Sequence, residues 1–294
     1  SVATASIADV TSRESRSKGM ALVGVAFGLG FILGPALGGW ASTMDPLGSD
    51  AQGVFVLNEF SLAAVISLAL GIVNWAWLAS RFKETLPPEK RATVDAPKPA
   101  IFQIGRVSNT AVRKTCLSYL FYMISFSGME FTLTFLAVER FDYAPSAIAK
   151  MFLLIGFTLI LAQGFFVRRF VGPLGEKNLA LIGIFIGIIA FALISFLHAE
   201  TWFYVSLFLM STGVAFISPT LTALTSLHSD ETDQGFHLGV FRSSGSMARA
   251  CGPLLAGLVY FGLGSSVAYL LGAVFLLIPA IFLLSVPQPV LNKR

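Results

Sequence analysis

The chain has 294 residues, of which 55% are hydrophobic and only 12% are charged, with a formal net charge of +4. Soluble domains carry about 25% charged residues, so this composition excludes an ordinary soluble protein. Apolar stretches of about 20 residues recur along the chain, and each is long enough to cross a bilayer as a helix. The sequence therefore predicts an all-α, polytopic membrane protein.

In chain order, residues 1–10 have the composition of the last turns of one helix, and we expect that further helices precede them. Complete spans are predicted over residues 20–42, 58–80, 115–138, 146–168, 178–198, 202–226, 237–261 and 265–286. Residues 83–112 contain several prolines and alternating charges, which predicts a flexible cytoplasmic linker. This linker divides the last part of one bundle, residues 1–82, from a complete six-helix bundle, residues 113–287. A cytoplasmic tail follows over residues 288–294.

Basic residues are concentrated in alternate loops, which carry 16 of the 20 Lys and Arg residues. The opposite loops carry Arg140 and Lys150 together with a larger number of acidic residues. Cytoplasmic loops of membrane proteins are enriched in Lys and Arg, so the basic loops are predicted to face the cytoplasm. The positive charge is thereby explained by membrane orientation, and no nucleic-acid partner is predicted.

Two of the predicted spans carry a proline-anchored series of small residues. The first copy is Gly30, Gly34, Pro35, Gly38 and Gly39, and the second is Ala248, Gly252, Pro253, Ala256 and Gly257. Small residues at every fourth position let another helix approach closely. Each copy follows a polar cytoplasmic loop and precedes a short outer turn, which indicates a parallel repeat in which the two copies form the contact between two related bundles. Chance recurrence is the alternative, because such patterns are common in membrane helices.

The first copy also resembles a family signature. Residues 34–39, preceded by Gly24, Gly28 and Gly30, are similar to the antiporter signature on the fifth helix of drug:proton exporters in the major facilitator superfamily. Short motifs resemble the eukaryotic tetracycline-transporter-like branch, at residues 126–133, 150–156, 163–164, 242–243 and 252–254. The resemblance implies an incomplete major facilitator fold, comprising the end of helix four and helices five to twelve. It also implies transport of organic anions and drugs.

Arg249 lies about 13 residues into its predicted span, roughly 20 Å from the cytoplasmic end. An arginine near the bilayer midplane is costly unless it faces protein or water. Arg242 precedes it by two helical turns and lies on the same face, whereas the first copy has Gly24 and Phe31 at the equivalent positions. We interpret the two arginines as a positive stripe that binds an anionic substrate. The alternatives are snorkelling to the interface or pairing with a helix C-terminus.

Glu130 lies about 16 residues beyond Lys114, roughly 24 Å into its predicted span. A carboxylate in a low-dielectric environment can alternate between protonated and ionised forms, which favours a role in proton coupling. The alternatives are a structural ion pair with Arg249 and a lining role in the outer cavity. Gln163 is a polar residue in an apolar helix, where hydrogen bonding between helices is the default role. The family resemblance places its helix beside the cavity and so implies substrate binding.

Together these features predict a secondary active transporter that exports amphipathic organic anions or drugs, coupled to protons, by alternating access. The alternative is a non-transporting scaffold or sensor, or a truncated product, on the same fold. The sequence contains no nucleophile–base pair, phosphate-binding loop or metal-ligand spacing, so no enzyme activity, cofactor or metal is expected. The expected partners are a small organic anion or drug, protons and the lipid bilayer of the plasma membrane or of an organelle.

Overall fold

The computed structural model describes residues 61–82, 103–230 and 233–288, together with isolated positions between 26 and 44. Residue contacts divide the chain into two units, one of residues 1–96 with 143–156 and one of residues 97–142 with 157–294. In the first unit, the described residues between 26 and 41 are helical. Helix α1 follows at Ser61–Arg81 in the same unit, and its side chains are exposed or half-buried.

The other elements of the described chain are also helices. The helices are α2 (Thr110–Phe141), α3 (Pro145–Leu161), α4 (Arg168–Phe196), α5 (Glu200–Leu227), α6 (Gln234–Leu263), α7 (Ser265–Phe275) and α8 (Leu277–Leu284). A π-helical segment, Ala162–Val167, joins α3 to α4, and a 3-10 turn, Ile104–Arg106, precedes α2. The start of α3 belongs to the first unit and its end to the second.

Seven segments of the described chain are long and apolar enough to cross a membrane. They begin at Ser61, Thr110, Pro145, Arg169, Glu200, Gln234 and Ser265. Helices α7 and α8 together form the last of these segments, and α3 forms one with the π-helical segment. The seven predicted spans from residue 58 onward are confirmed, whereas most of the predicted span 20–42 lies outside the described residues. The chain is therefore an integral, multi-pass membrane protein.

Helix α2 is longer than predicted because polar residues cap both of its ends. The Asn109 side chain accepts hydrogen bonds from the backbone N–H groups of Ala111 and Val112, at 2.9 and 3.3 Å. At the other end Asp142 adopts the left-handed conformation, with φ 51°. Asparagine caps N-termini well, and a left-handed residue commonly ends a helix. The Asn109 amide also donates to the backbone carbonyl of His228, at 2.7 Å, which ties the start of α2 to the end of α5.

Helix α4 has a break near its start. Pro173 lies within it, and Gly175 has φ 76°, a conformation that a side chain would disfavour. Residues 169–177 lie between two predicted spans and were expected to form a loop. They are helical on both sides of the break at Gly175. Just beyond it, the Lys177 ammonium donates to the backbone carbonyl of Leu284, 2.8 Å away. A cation at this position satisfies a terminal carbonyl of α8.

Helices α2 and α6 are in backbone contact along a seam of small residues. A Cβ atom added to Gly252 would lie 2.1 Å from the Ser127 hydroxyl and 2.6 Å from the backbone oxygen of Ile124. One added to Gly128 would lie 2.6 Å from the Ala256 Cβ. Both helices of this pair lie in the second unit. The small residues of the second copy therefore serve packing within the bundle. The contact between two bundles, which the sequence pattern was also interpreted to indicate, stays a prediction.

The first copy lies partly outside the described residues, which do not include Pro35 or Gly39. A Cβ atom added to Gly30, Gly34 or Gly38 would meet nothing within 4 Å in the described part of the chain. The packing role predicted for these three glycines therefore stays a prediction.

Helices α4 and α5 form a second close pair that the sequence did not indicate. A Cβ added to Gly183 would lie 2.8 Å from the backbone oxygen of Gly213, and one added to Gly213 would lie 2.7 Å from that of Gly183. The two glycines thus allow their backbones to touch. Helix α2 is also tied to α8, since the Ser118 hydroxyl donates to the backbone carbonyl of Pro279 at 2.9 Å.

The seam predicts that Gly252→Ala destabilises the protein although alanine favours helices. We expect the free energy of unfolding to fall by about 1–3 kcal/mol, the usual cost of overpacking. The measurement is denaturing-detergent titration of the purified full-length protein. Gly262→Ala on the same helix is the matched control, because a Cβ there meets nothing within 4 Å. Equal unfolding midpoints for the two variants would contradict the close contact.

Candidate substrate site

The two arginines of α6 lie on one face of the helix, beside α2. Arg242, Gly245 and Arg249 are spaced three and four residues apart, so they form one stripe. The ring of Tyr119 in α2 stacks on Phe241, with centroids 3.9 Å apart and an angle of 15° between the planes. A Cβ added to Gly245 would lie 2.6 Å from Cε1 of the same tyrosine. Both arginines are themselves exposed.

Glu130 lies on α2, and it is nearer than Arg249 to the C-terminal ends of the two helices. Helices α2 and α6 run in the same direction, because Tyr119 lies beside Gly245 and Gly128 beside Gly252. Arg249 precedes Gly252 by three residues and Glu130 follows Gly128 by two. The two charged residues are therefore separated by about five residues of helical rise, or about 7.5 Å along the helix axes.

The two charges are not paired in this structure. Glu130 is half-buried and interacts electrostatically with Arg249. Among the described residues, however, no nitrogen–oxygen pair within 4.0 Å joins their side chains. The structural ion pair between Glu130 and Arg249, which the sequence left open, is therefore not formed in this structure. Both groups remain available to other partners.

Pro253 disrupts the backbone of α6 at the level of Arg249. A proline has no N–H group, so the carbonyl four residues earlier, that of Arg249, loses its helical hydrogen bond. One turn further along, a Cβ added to Gly257 would lie 3.3 Å from Cε1 of Phe131 on α2. Pro253 therefore removes the helical donor for the Arg249 carbonyl, while Gly257 continues the close packing on α2.

Gln163 lies in the π-helical segment between α3 and α4 and is half-buried. This segment packs mainly on α4 and α5, not on the helix that carries the arginines. Within the described part of the chain, the Gln163 side chain forms no hydrogen bond to Glu130, Arg242 or Arg249. Short π-helical segments are frequent at functional sites, so its geometry remains compatible with a lining role.

An apolar groove lies beside the seam, between α2, α6 and α7. Its walls include Met129, Leu255, Val259 and Phe275. None of the described residues that line it carries a charge. Such a surface suits hydrocarbon, so the arginine stripe is the better candidate for an anionic ligand.

A polar network at the far end of the bundle was missed by the sequence interpretation. The Arg140 guanidinium donates to the backbone carbonyl of Ile194 at 2.5 Å and to the hydroxyls of Ser265 and Ser266 at 3.3 and 3.1 Å. Glu139 accepts hydrogen bonds from the Tyr260 hydroxyl and from Ser265. The network links α2, α4, α6 and α7 at the end predicted to face away from the cytoplasm. The sequence signal for this network was the pair of adjacent opposite charges, Glu139 and Arg140, at the end of a long apolar helix.

A comparison with protein families identifies the Major Facilitator Superfamily, whose profile matches residues 1–235. Major facilitator superfamily domain-containing protein 10 of Bos taurus is 34% identical over 311 residues, covering 98% of this chain and 64% of the relative. The class B tetracycline resistance protein of Escherichia coli is 26% identical over 262 residues, covering 88% of this chain and 61% of that protein. The chain thus spans less than two thirds of the length of these relatives.

A solved structure with the same fold is that of the human organic anion transporter MFSD10 (TETRAN). It aligns with a TM-score of 0.74 and 29% sequence identity, covering 95% of this chain and 66% of the human protein. The incomplete major facilitator fold predicted from the sequence is confirmed by this alignment, together with the family match.

The outer network predicts that Arg140→Ala destabilises the bundle. The substitution removes the donor for the Ile194 carbonyl and for two serine hydroxyls. Since hydrogen bonds to charged groups contribute about 1.5–3 kcal/mol, we expect a loss of unfolding free energy in that range. Denaturing-detergent titration measures it, with Lys150→Ala as the control because Lys150 is an exposed cation on the same predicted side. Indistinguishable titration curves for the two variants would show that the network is dispensable.

Proposed function

The chain belongs to the major facilitator superfamily, and we propose on that premise that it forms part of a secondary active transporter for amphipathic organic anions or drugs. In this proposal export is coupled to protons and proceeds by alternating access. The described relatives include a human organic anion transporter and a bacterial tetracycline resistance protein, which supports both substrate classes. The observation that carries the proposal is the exposed arginine stripe of α6, in which Arg249 lies deep in its span without an ion-pair partner among the described residues.

The anion would bind between Arg249 and Arg242. A guanidinium has five N–H donors and no acceptor, so it binds carboxylates and related oxyanions well. An unpaired arginine within a membrane span is costly, and such residues usually face a polar cavity or a binding site. The two arginines lie on one face about two turns apart, so they could hold one anion together or pass it along the helix. The apolar residues nearby would accommodate the hydrophobic part of an amphipathic substrate.

Glu130 would couple this site to protons. It lies above Arg249 on the helix that packs against α6, and the two charges interact without forming an ion pair. Protonation of Glu130 removes a negative charge near Arg249, which strengthens the attraction of Arg249 for an anion. Deprotonation has the opposite effect. Proton binding at Glu130 and anion binding at Arg249 would thus be linked by the electrostatic interaction between these two side chains.

The remaining predicted residues would support transport without contacting Glu130 or Arg249. Gln163 would line the cavity from the π-helical segment and supply a neutral hydrogen-bonding group. Gly252, Pro253 and Gly257 would keep α6 against α2, so that the arginines and Glu130 move as one rigid pair of helices. The glycine series of the first copy would play the matching part in the other bundle.

Substitution of Arg249 tests the proposed anion site. We expect Arg249→Gln to reduce the initial rate of organic anion uptake into proteoliposomes by about 10-fold or more, as for loss of a charged hydrogen bond. Arg249→Lys keeps the charge but lacks the planar fork, so its rate should be intermediate. Arg113→Gln, at an exposed arginine near the start of α2, is the control. An Arg249→Gln protein that transports at the parental rate would sink the proposal.

Substitution of Glu130 tests the proposed proton coupling separately. We expect Glu130→Gln to abolish uptake driven by a pH gradient, because glutamine cannot carry a proton through the cycle. Exchange of labelled for unlabelled substrate, which needs no net proton movement, should continue. Asp142→Asn is the control, since asparagine is well tolerated at the left-handed end of α2. Gradient-driven accumulation by the Glu130→Gln protein would assign the coupling to another residue.

A further inference from the structure

We propose that Tyr119 is a third anion-binding residue, whose phenol hydroxyl donates a hydrogen bond to a substrate oxyanion held between Arg242 and Arg249. The inference rests on the proposed function, because it assigns a further residue to the same site. It also narrows the substrate class to anions whose negative charge is carried by oxygen atoms, such as carboxylates and sulfonates.

The first argument is the position of the ring. Gly245 lies three residues after Arg242 and four before Arg249, so it is flanked by both arginines on the helix surface. A Cβ atom added to Gly245 would lie 2.6 Å from Cε1 of Tyr119 and 3.1 Å from its hydroxyl oxygen. The hydroxyl therefore lies over the gap between the two arginines. Only a glycine leaves room for the ring at this point.

The second argument is that the ring is held in place before any ligand binds. It stacks on Phe241, which is buried with 2% of its surface exposed. Stacked aromatic pairs contribute about 0.5–1.5 kcal/mol beyond the burial of their surface. With the ring fixed by Phe241 on one side and Gly245 on another, little conformational entropy is lost when the hydroxyl binds a ligand.

The third argument is that the hydroxyl lacks an acceptor. Tyr119 is half-buried, and within the described residues its hydroxyl makes no hydrogen bond. The charged groups near it are Arg249 and Arg242, whose guanidiniums can only donate. Glu130 is on the same helix but 11 residues further along, or about 16 Å away. The Tyr119 hydroxyl and the two arginines thus lie on the same side of α6 as hydrogen-bond donors, and an oxyanion held between the arginines would give the hydroxyl an acceptor.

The test is equilibrium binding of naphthalene-2-sulfonate to the purified full-length protein. We expect Tyr119→Phe to raise the dissociation constant about 10-fold, as for loss of one hydrogen bond to a charged group. The phenylalanine keeps the stacking on Phe241, so the thermal unfolding of the ligand-free protein should not change. Tyr204→Phe on α5 is the matched control and should bind like the parent.

Gly245→Ala provides a second test that keeps the hydroxyl. Its methyl group pushes the Tyr119 ring away, so we expect a loss of affinity at least as large as that of Tyr119→Phe. Gly239→Ala on the same helix is its control, since a Cβ there meets nothing within 4 Å. Combining Tyr119→Phe with Arg249→Gln should cost less than the sum of the two single changes, because both groups bind one oxyanion.

The outcomes separate the inference from the proposed function. If Tyr119→Phe binds like the parent while Arg249→Gln does not, the tyrosine is only structural and the anion site stands. If Arg249→Gln also binds like the parent, the anion site itself is wrong. Weakened binding in Tyr119→Phe and Gly245→Ala, with unchanged unfolding in Tyr119→Phe, supports the assignment.

Discussion

The backbone contact between α2 and α6 is the constraint on which the rest of this bundle depends. In lipid, helices gain little from burying apolar side chains against one another, so close packing of small residues has to hold them together. Gly128, Gly252 and Ala256 allow this approach, and Ser127 adds a hydrogen bond to the backbone carbonyl of Ala248 at 3.1 Å. Because the contact is so close, sliding one helix by a single residue would bring atoms into collision.

This fixed register determines which polar residues meet. It brings Tyr119 over Gly245 near one end of the pair and Tyr260 to Glu139 at the other. Between these points it holds Glu130 above Arg249, close enough for electrostatic interaction but without an ion pair in the described structure. The charged groups are therefore arranged by the packing of residues that carry no charge. The electrostatic interaction between Glu130 and Arg249 is thus a result of the helix packing and not its cause.

The sequence predicted the helices and the family more fully than it predicted the site. Spans follow from apolar length, which is a local property of the chain, although the cap at Asn109 that lengthens α2 was not recognised. The partner of each helix is not local: Gly183 has another glycine four residues later, but this spacing does not identify Gly213 as its contact. The small residues around Gly252 were recognised, but the helix they contact could not be read from their spacing. Tyr119 and Arg140 were missed because their importance depends on contacts with residues 54 to 126 positions away in the chain.

The location of the arginines beside the seam, and not within it, has an evolutionary consequence. Gly252 tolerates few changes, since an added Cβ meets α2, and Ala248 is fully buried. Residues 242 and 249 are exposed, so their side chains can change in size or charge while the seam stays intact. Selection on substrate preference would then proceed through these positions with little effect on folding. Related proteins with the same seam could diverge from acidic to neutral or basic cargo by substitutions on the flank of one helix.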